Sequence, residues 1–328
     1  MKVLIADFLE DDSIEAPVLQ GVAKTEVIRG HHESDLFPFL AEADAILLFH
    51  DVERMSDATF EVARRCKVVV RAGVGYNNVD LEAAGRRGIA VCNVPDYGTE
   101  EVADHAMMLL LAVARHLRIQ DSDMRAGKWD YLAGRDTPRL RGKTLGIIGC
   151  GRIGSAMALR AKAFGLDVVF YDPRIPPGLD KALGIRRVFE LETLLEQSHV
   201  VSLHCFLDDK SHHLINREAL ARMRTGSILI NTARGPVVDQ EALIEALESG
   251  HLLGAGLDVF EHEPLSDDRL QSHPRVILTP HSAFYSIEGF IELRTKAAEE
   301  VRRVLLGEPP RNLVNRGMLV DPRITLPS

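Results

Sequence analysis

A strand-forming run over residues 144–148 passes without a break into Gly149-Cys150-Gly151-Arg152-Ile153-Gly154 and then into a helical stretch over 155–164. Glycines at this spacing between a strand and a helix each have a separate task. The first permits a tight turn, the second lets backbone approach a pyrophosphate, and the third lets helix and strand pack closely. The helix N-terminus then offers free N–H groups to the phosphates. A further strand over 167–171 ends at Asp172, eighteen residues beyond Gly154. A carboxylate there accepts hydrogen bonds from both adenine-ribose hydroxyls and repels a 2′-phosphate. The pattern implies a βαβ unit that binds NAD(H) in preference to NADP(H). Arg174, two residues on, is the one opposing sign, because an arginine there can accept a 2′-phosphate.

The chain around this motif has the alternation of an α/β protein. Short β-branched runs at 3–6, 26–28, 45–49, 68–71 and 90–94 are separated by helical stretches, which argues for a parallel sheet covered on both faces. A long helix is expected over 100–117, with Ala103, Ala106, Met107, Leu110 and Leu111 at helical spacing. A polar arm over 125–141 carries the single tryptophan, Trp129, and Tyr131. Aromatics on such an arm fit an interface or local packing equally. After the motif, strands are expected at 200–204, 228–231, 256–259 and 276–279, and helices at 217–223, 240–249 and 286–306. Five strands before the motif cannot be the front of the same unit. Two doubly wound parallel-sheet domains follow, with the cleft between them the default site.

A chain of 328 residues has room for two such cores. Its net charge of −9 gives no electrostatic footprint for nucleic acid or an anionic membrane, so neither partner is expected. The opening Met1 to Asp7 meets an acid too early for a secretory leader, and no apolar run approaches the length of a membrane span; a cytoplasmic protein is expected. Cys66, Cys92, Cys150 and Cys205 form no C-x-x-C pair and are expected to be reduced and buried. His31-His32, His204 and His212-His213 lack a carboxylate or thiolate set at zinc spacing, so no metal is expected.

A nicotinamide enzyme needs a cation for the substrate anion, a proton donor, and a group that tunes the donor. Three expected strand ends supply candidates: Arg234 in Asn231-Thr232-Ala233-Arg234-Gly235, Glu263 in the run that begins Asp258-Val259-Phe260, and His281 in Thr279-Pro280-His281. Singly, each reads more readily as a surface or turn residue. Together, behind the dinucleotide motif, they form a set in which His281 protonates a substrate oxygen, Glu263 stabilises the imidazolium, and Arg234 grips a carboxylate. In the first domain, Arg71-Ala72-Gly73-Val74-Gly75 follows a strand. It offers Arg71 and the backbone at Val74 and Gly75 to an anion, or serves only as a glycine turn.

These segments, with Gly256-Leu257-Asp258-Val259, resemble the D-isomer-specific 2-hydroxyacid dehydrogenases over nearly the whole chain. Within that family the chain looks nearest to the C-terminal binding protein-like branch. The segments that carry this are Ala90-Val91-Cys92-Asn93-Val94-Pro95, Ser202-Leu203-His204-Cys205 with His212-His213-Leu214-Ile215-Asn216, and His281-Ser282-Ala283-Phe284-Tyr285-Ser286. The resemblance implies a flavodoxin-like substrate-binding domain from residues 1–97 and 286–328 and a Rossmann NAD-binding domain from 98–285. It implies Arg234, Glu263 and His281 as the catalytic set. Cofactor contacts are implied at Val102, Gly149, Gly151, Arg152, Ile153, Gly154, Asp172, His204, Cys205, Thr232, Ala233 and Asp258, and substrate contacts at Arg71, Val74 and Gly75. A homodimer formed through the NAD domains is implied too. The activity it implies is NAD-dependent reduction of a small 2-ketoacid to a D-2-hydroxyacid. The alternatives are an NAD(H)-sensing corepressor-like protein and a 3-phosphoglycerate-type dehydrogenase. Glu263 in place of glutamine argues against formate dehydrogenase, and the chain ends before the extra regulatory domain of many phosphoglycerate dehydrogenases. Two positions depart from the pattern: Val102 stands where relatives often have threonine, and Phe284 where the C-terminal binding proteins have tryptophan.

Overall fold

The computed structural model describes residues 1–326. It divides into two compact units, one made of Met1–Gly98 and the chain from Ser286 onward, the other of Thr99–Tyr285. The first unit opens with β1 (Lys2–Asp7), α1 (Glu15–Leu19), β2 (Lys24–Arg29), α2 (Glu33–Leu40), β3 (Ala45–Leu48), α3 (Asp57–Val62), β4 (Val68–Arg71), α4 (Leu81–Arg86) and β5 (Ala90–Asn93). The five strands are parallel in the order β2-β1-β3-β4-β5. Every residue of β3, β4 and β5 is buried, as expected of parallel strands covered on both faces. The edge strand β2 is only half-buried and begins and ends on polar residues, which is why its apolar signal is confined to its middle.

The second unit contains α5 (Thr99–Ala114), α6 (Leu117–Arg125), a 3₁₀ turn (Tyr131–Gly134), β6 (Thr144–Ile148), α7 (Arg152–Ala163), β7 (Asp167–Tyr171), α8 (Leu179–Leu183), β8 (Arg186–Arg187) and α9 (Leu191–Gln197). It continues with β9 (Val200–Leu203), α10 (Arg217–Arg222), β10 (Ser227–Asn231), α11 (Gln240–Glu248), β11 (Leu252–Leu257), α12 (Asp268–Ser272) and β12 (Val276–Leu278). The chain then returns to the first unit as α13 (Ile287–Leu305), which packs across β3 and β4 and against α1. Seven parallel strands run in the order β12-β11-β10-β9-β6-β7-β8. The chain works outward from β6 to β8 and then restarts on the other side at β9. Such a reversal opens a crevice at the carboxyl ends of the two central strands. One face of the sheet is covered by Leu194, Leu220, Leu243 and their neighbours from α9, α10 and α11. The other is covered by Leu109 and Leu110 of α5 with Met157 and Ala158 of α7.

Two boundaries differ from the sequence expectation for identifiable reasons. The strand expected at 256–259 is β11, which starts four residues earlier and stops at Leu257. Its glycines disguise it. A Cβ on Gly254 would stand 2.9 Å from Val113 Cγ1, and one on Gly256 would stand 2.8 Å from Leu109 Cβ, so α5 lies closer to this strand than a side chain would permit. The helix expected over 100–117 breaks at His116, which takes a left-handed conformation (φ 51°). Its buried ring lies 2.9 Å from Asp136, and α6 then leaves on a new axis.

Candidate active site

The glycine motif forms an open cradle after β6. Gly149 has φ 86°, and a Cβ there would press on the Cys205 backbone at 2.6 Å, so the crossing of this loop over the end of β9 requires glycine. A Cβ on Gly154 would collide with the Gly149 carbonyl, which sets how closely α7 approaches its strand. Gly151, the N-cap of α7, is different: nothing lies within 4 Å of where its Cβ would be. No side chain caps the helix there, so the N–H groups beginning at Arg152 and Ile153 are left for an anion. Asp172 is buried, its Oδ2 accepting from the Cys150 N–H at 2.8 Å and its Oδ1 from the Arg174 N–H at 2.8 Å. Each oxygen retains accepting capacity beyond these bonds. The Arg174 guanidinium is ion-paired with Asp208.

Two buried polar atoms complete this side of the unit. His204, just past β9, shares a hydrogen bond between its Nε2 and Ser202 Oγ at 2.8 Å, while its Nδ1 is buried with no hydrogen-bond partner among the described residues. Thr232 Oγ1, just past β10, is likewise buried without one. Unmet hydrogen-bonding groups beside an open glycine cradle are what a polar dinucleotide would satisfy. The residues present fit one. Val102 is buried on α5, Cys205 is half-buried, and Ala233 is buried with its N–H bonded to Asn231 Oδ1 at 3.0 Å.

Arg234, Glu263 and His281 come together beyond β10, β11 and β12. His281 Nδ1 lies 2.7 Å from Glu263 Oε2, and Glu263 Oε1 accepts from the Phe260 N–H at 3.0 Å. Burial pushes the Glu263 carboxyl up. The His281 hydrogen bond and charge, the Phe260 N–H and the nearby charge of Arg234 outweigh it and hold the group below its usual value. Glu263 is therefore a carboxylate at neutral pH, and it holds the His281 ring through Nδ1. Arg234 donates from Nη1 to the Ala233 carbonyl at 2.6 Å, and Asn231 Nδ2 to the Arg234 carbonyl at 2.9 Å, which fixes the turn that carries the guanidinium.

His281 adopts a left-handed backbone, φ 51°, that a non-glycine residue takes only when its surroundings impose it. Asp258 imposes it. Its carbonyl accepts from the His281 N–H at 2.8 Å, and its carboxylate accepts from the N–H groups of Ser282 and Ala283, each at 2.9 Å. Thr279 Oγ1 donates to Asp258 Oδ1 at 2.6 Å, so the 2.9 Å contact between Thr279 Oγ1 and His105 Nε2 is donated by the imidazole.

A model of the D-isomer specific 2-hydroxyacid dehydrogenase NAD binding domain matches residues 107–283, more than half of the chain. The chain belongs to the D-isomer specific 2-hydroxyacid dehydrogenase family. It is 38% identical over 96% of its length to a D-3-phosphoglycerate dehydrogenase of Methanocaldococcus jannaschii, and spans 59% of that relative. A glyoxylate reductase from Paecilomyes thermophila superposes with a TM-score of 0.87 at 28% identity, covering 96% of this chain and 98% of that one. A D-lactate dehydrogenase from Aquifex aeolicus, complexed with NAD and lactic acid, gives a TM-score of 0.84 at 29% identity, covering 92% and 94%.

In this 2-hydroxyacid dehydrogenase family member, the sequence reading missed His105 and the bridging role of Thr279. His105 is 174 positions from its partner, so only the fold brings them together. In the first unit, Arg71 ends β4 with its side chain buried and folded back over Gly73, where a Cβ would strike the guanidinium. Its Nη1 donates to the Ala72 carbonyl at 2.9 Å. The Val74 carbonyl accepts from Asn93 Nδ2 at 2.8 Å, and Gly75 follows in the same turn.

Proposed function

We propose that the protein reduces small 2-ketoacids to D-2-hydroxyacids with NADH. The observation that carries this reading is the 2.7 Å bond between His281 and an ionised Glu263, in a set that includes Arg234. NADH, when bound, supplies the hydride. Arg234 grips the substrate carboxylate with paired N–H donors and polarises the neighbouring carbonyl. His281 delivers a proton from Nε2 to the carbonyl oxygen, and Glu263 stabilises the imidazolium beforehand and orients the ring. Arg71, with the backbone at Val74 and Gly75, is proposed as an anion-holding group of the first unit. Asp172 takes the adenine-ribose hydroxyls, and the tie between Arg174 and Asp208 supports NAD over NADP.

A phosphorylated substrate is the second reading, favoured by the D-3-phosphoglycerate dehydrogenase of Methanocaldococcus jannaschii. The assembly is proposed to be a homodimer through the arm: Trp129 is 88% and Tyr131 85% exposed, Leu117, Met124 and Leu132 are exposed too, and α6 buries no residue. The free thiols of all four cysteines support a reducing compartment, the cytoplasm.

NADH oxidation at neutral pH against glyoxylate, hydroxypyruvate, pyruvate, longer 2-ketoacids and 3-phosphohydroxypyruvate tests both readings. One substrate is expected to turn over well, with a loss of about 10²–10⁴-fold in His281→Asn and NADH affinity retained. If no ketoacid exceeds roughly 10² M⁻¹s⁻¹, far below the usual enzyme range, the reductase reading fails.

A further inference from the structure

Below the second unit's sheet, at the ends of its strands opposite the glycine motif, lies a cavity of about 210 Å³ lined by Lys143, His199, Arg224 and Ser227, with Pro138 and Leu140 as its apolar wall. Lys143 immediately precedes β6, His199 precedes β9, and Arg224 lies just before β10, which Ser227 begins. Gly149, His204 and Arg234 follow the other ends of the same three strands. At ~3.3 Å per residue the two ends are separated by roughly 13–16 Å. The cavity is thus separate from the dinucleotide cradle.

Its lining is one-sided in charge. No carboxylate lines it, and neither Lys143 nor Arg224 has an ion-pair partner among the described residues. His199 Nδ1 accepts from the Thr144 N–H at 3.1 Å, which fixes the tautomer that keeps Nε2–H as a donor. Ser227 is 1% exposed, and its Oγ is buried with no hydrogen-bond partner among the described residues. A buried hydroxyl in that state calls for a partner, and Ser227 lines the cavity together with Lys143, His199 and Arg224. Burial, with the charges of Lys143 and Arg224, lowers the His199 pKa.

We infer that this cavity is a binding site for a small tetrahedral oxyanion, inorganic phosphate or the phosphoryl group of a small metabolite. An ammonium, a guanidinium, an imidazole N–H and a hydroxyl line it from the ends of three strands. Four such donors suit the four oxygens of a phosphoryl group better than a planar carboxylate. A volume near 210 Å³ holds a phosphate with a short carbon chain and is below the size of most cofactor sites.

The test is calorimetric titration of the full chain, saturated with NADH to fill the dinucleotide cradle, with inorganic phosphate at constant ionic strength. Wild type and Arg234→Gln are expected to bind alike. Lys143→Gln and Arg224→Gln are expected to weaken binding at least tenfold while NADH affinity stays within twofold, which also reports that both variants fold. Glycerol 1-phosphate in a parallel arm separates the two sources: tighter binding than phosphate assigns the site to a phosphorylated metabolite, weaker binding to the free ion. Heat that persists in both charge variants, heat that vanishes in Arg234→Gln alone, or none from wild type at about 10 mM phosphate would overturn the assignment.

Discussion

Thr279 places one hydroxyl between His105 and Asp258, and the loop that carries His281 hangs on that carboxylate. Thr279→Val keeps the shape and removes the bridge. It leaves an imidazole N–H and a buried carboxylate oxygen each one partner short, a loss that costs about 1–3 kcal/mol. Part of that cost is relieved by loosening the left-handed turn at His281. The expected result is a fall of about tenfold in kcat, with NADH affinity within threefold of wild type and recovery in Thr279→Ser. Steady-state rates beside NADH titrations read this; a variant that melts earlier but turns over normally would reduce Thr279 to a packing residue. Arg234, Glu263 and His281 were legible in the sequence because each sits in a short motif just past an expected strand. His105 was not, since a histidine on a buried helix face looks the same whether or not a partner meets it.

At the level of elements, the first unit is assembled from the two ends of the chain, and its joint is an ion pair. Arg294 of α13 donates from Nε and Nη2 to the two oxygens of Glu15 on α1, at 2.7 and 2.6 Å, and both residues are nearly inaccessible. The guanidinium also lies 5.7 Å from the Phe290 ring centroid. Glu15→Gln leaves the buried guanidinium only the exposed Asp11 carboxylate, at 3.4 Å, as a counter-charge, and stranding a buried charge typically costs about 3–5 kcal/mol, so a loss near the lower end of that range is expected. Urea unfolding should show a loss of that order, and a much smaller loss for Glu15→Met combined with Arg294→Met, where no charge is stranded. Equal losses in both variants would assign the stabilisation to packing. The strands buried on both faces were readable as apolar runs, and the helix expected over 286–306 is α13. What escaped were β8, only two residues long; the first four residues of β11, where Gly254 lies under α5; and the break at the left-handed His116. The joint itself is invisible in sequence, because Glu15 and Arg294 read as ordinary surface charges 279 positions apart.

Across the whole molecule, acid acts on the two units in opposite directions. In the second unit, burial drives the His204 pKa down to about 4 from 6.5 and also lowers His105, His199 and His273. A histidine whose folded pKa is depressed adds stability above the unfolded value. That stability is lost as pH falls from about 6.5 toward 4, because the unfolded chain takes up the proton first. For His204 alone the loss amounts to about 3 kcal/mol. In the first unit, burial raises Asp7 to about 6 from 3.8 despite the N–H bonds it accepts from Val52 and Asp51. Its contribution has the reverse sign: fully present below the unfolded value and lost as pH rises through about 6, again about 3 kcal/mol. Acidification from pH 7 to 4.5 should therefore weaken the second unit while the first holds or gains. Hydrogen exchange, corrected for the intrinsic pH dependence of amide rates, reads each unit separately. Amides of β9 and β10 are expected to lose protection at pH 4.5 while those of β1 and β3 keep theirs. His204→Gln should flatten the response of the second unit, and Asp7→Asn that of the first. Parallel loss of protection in both units, or an acid response unchanged by His204→Gln, would show that these two buried groups do not govern how the molecule meets acid.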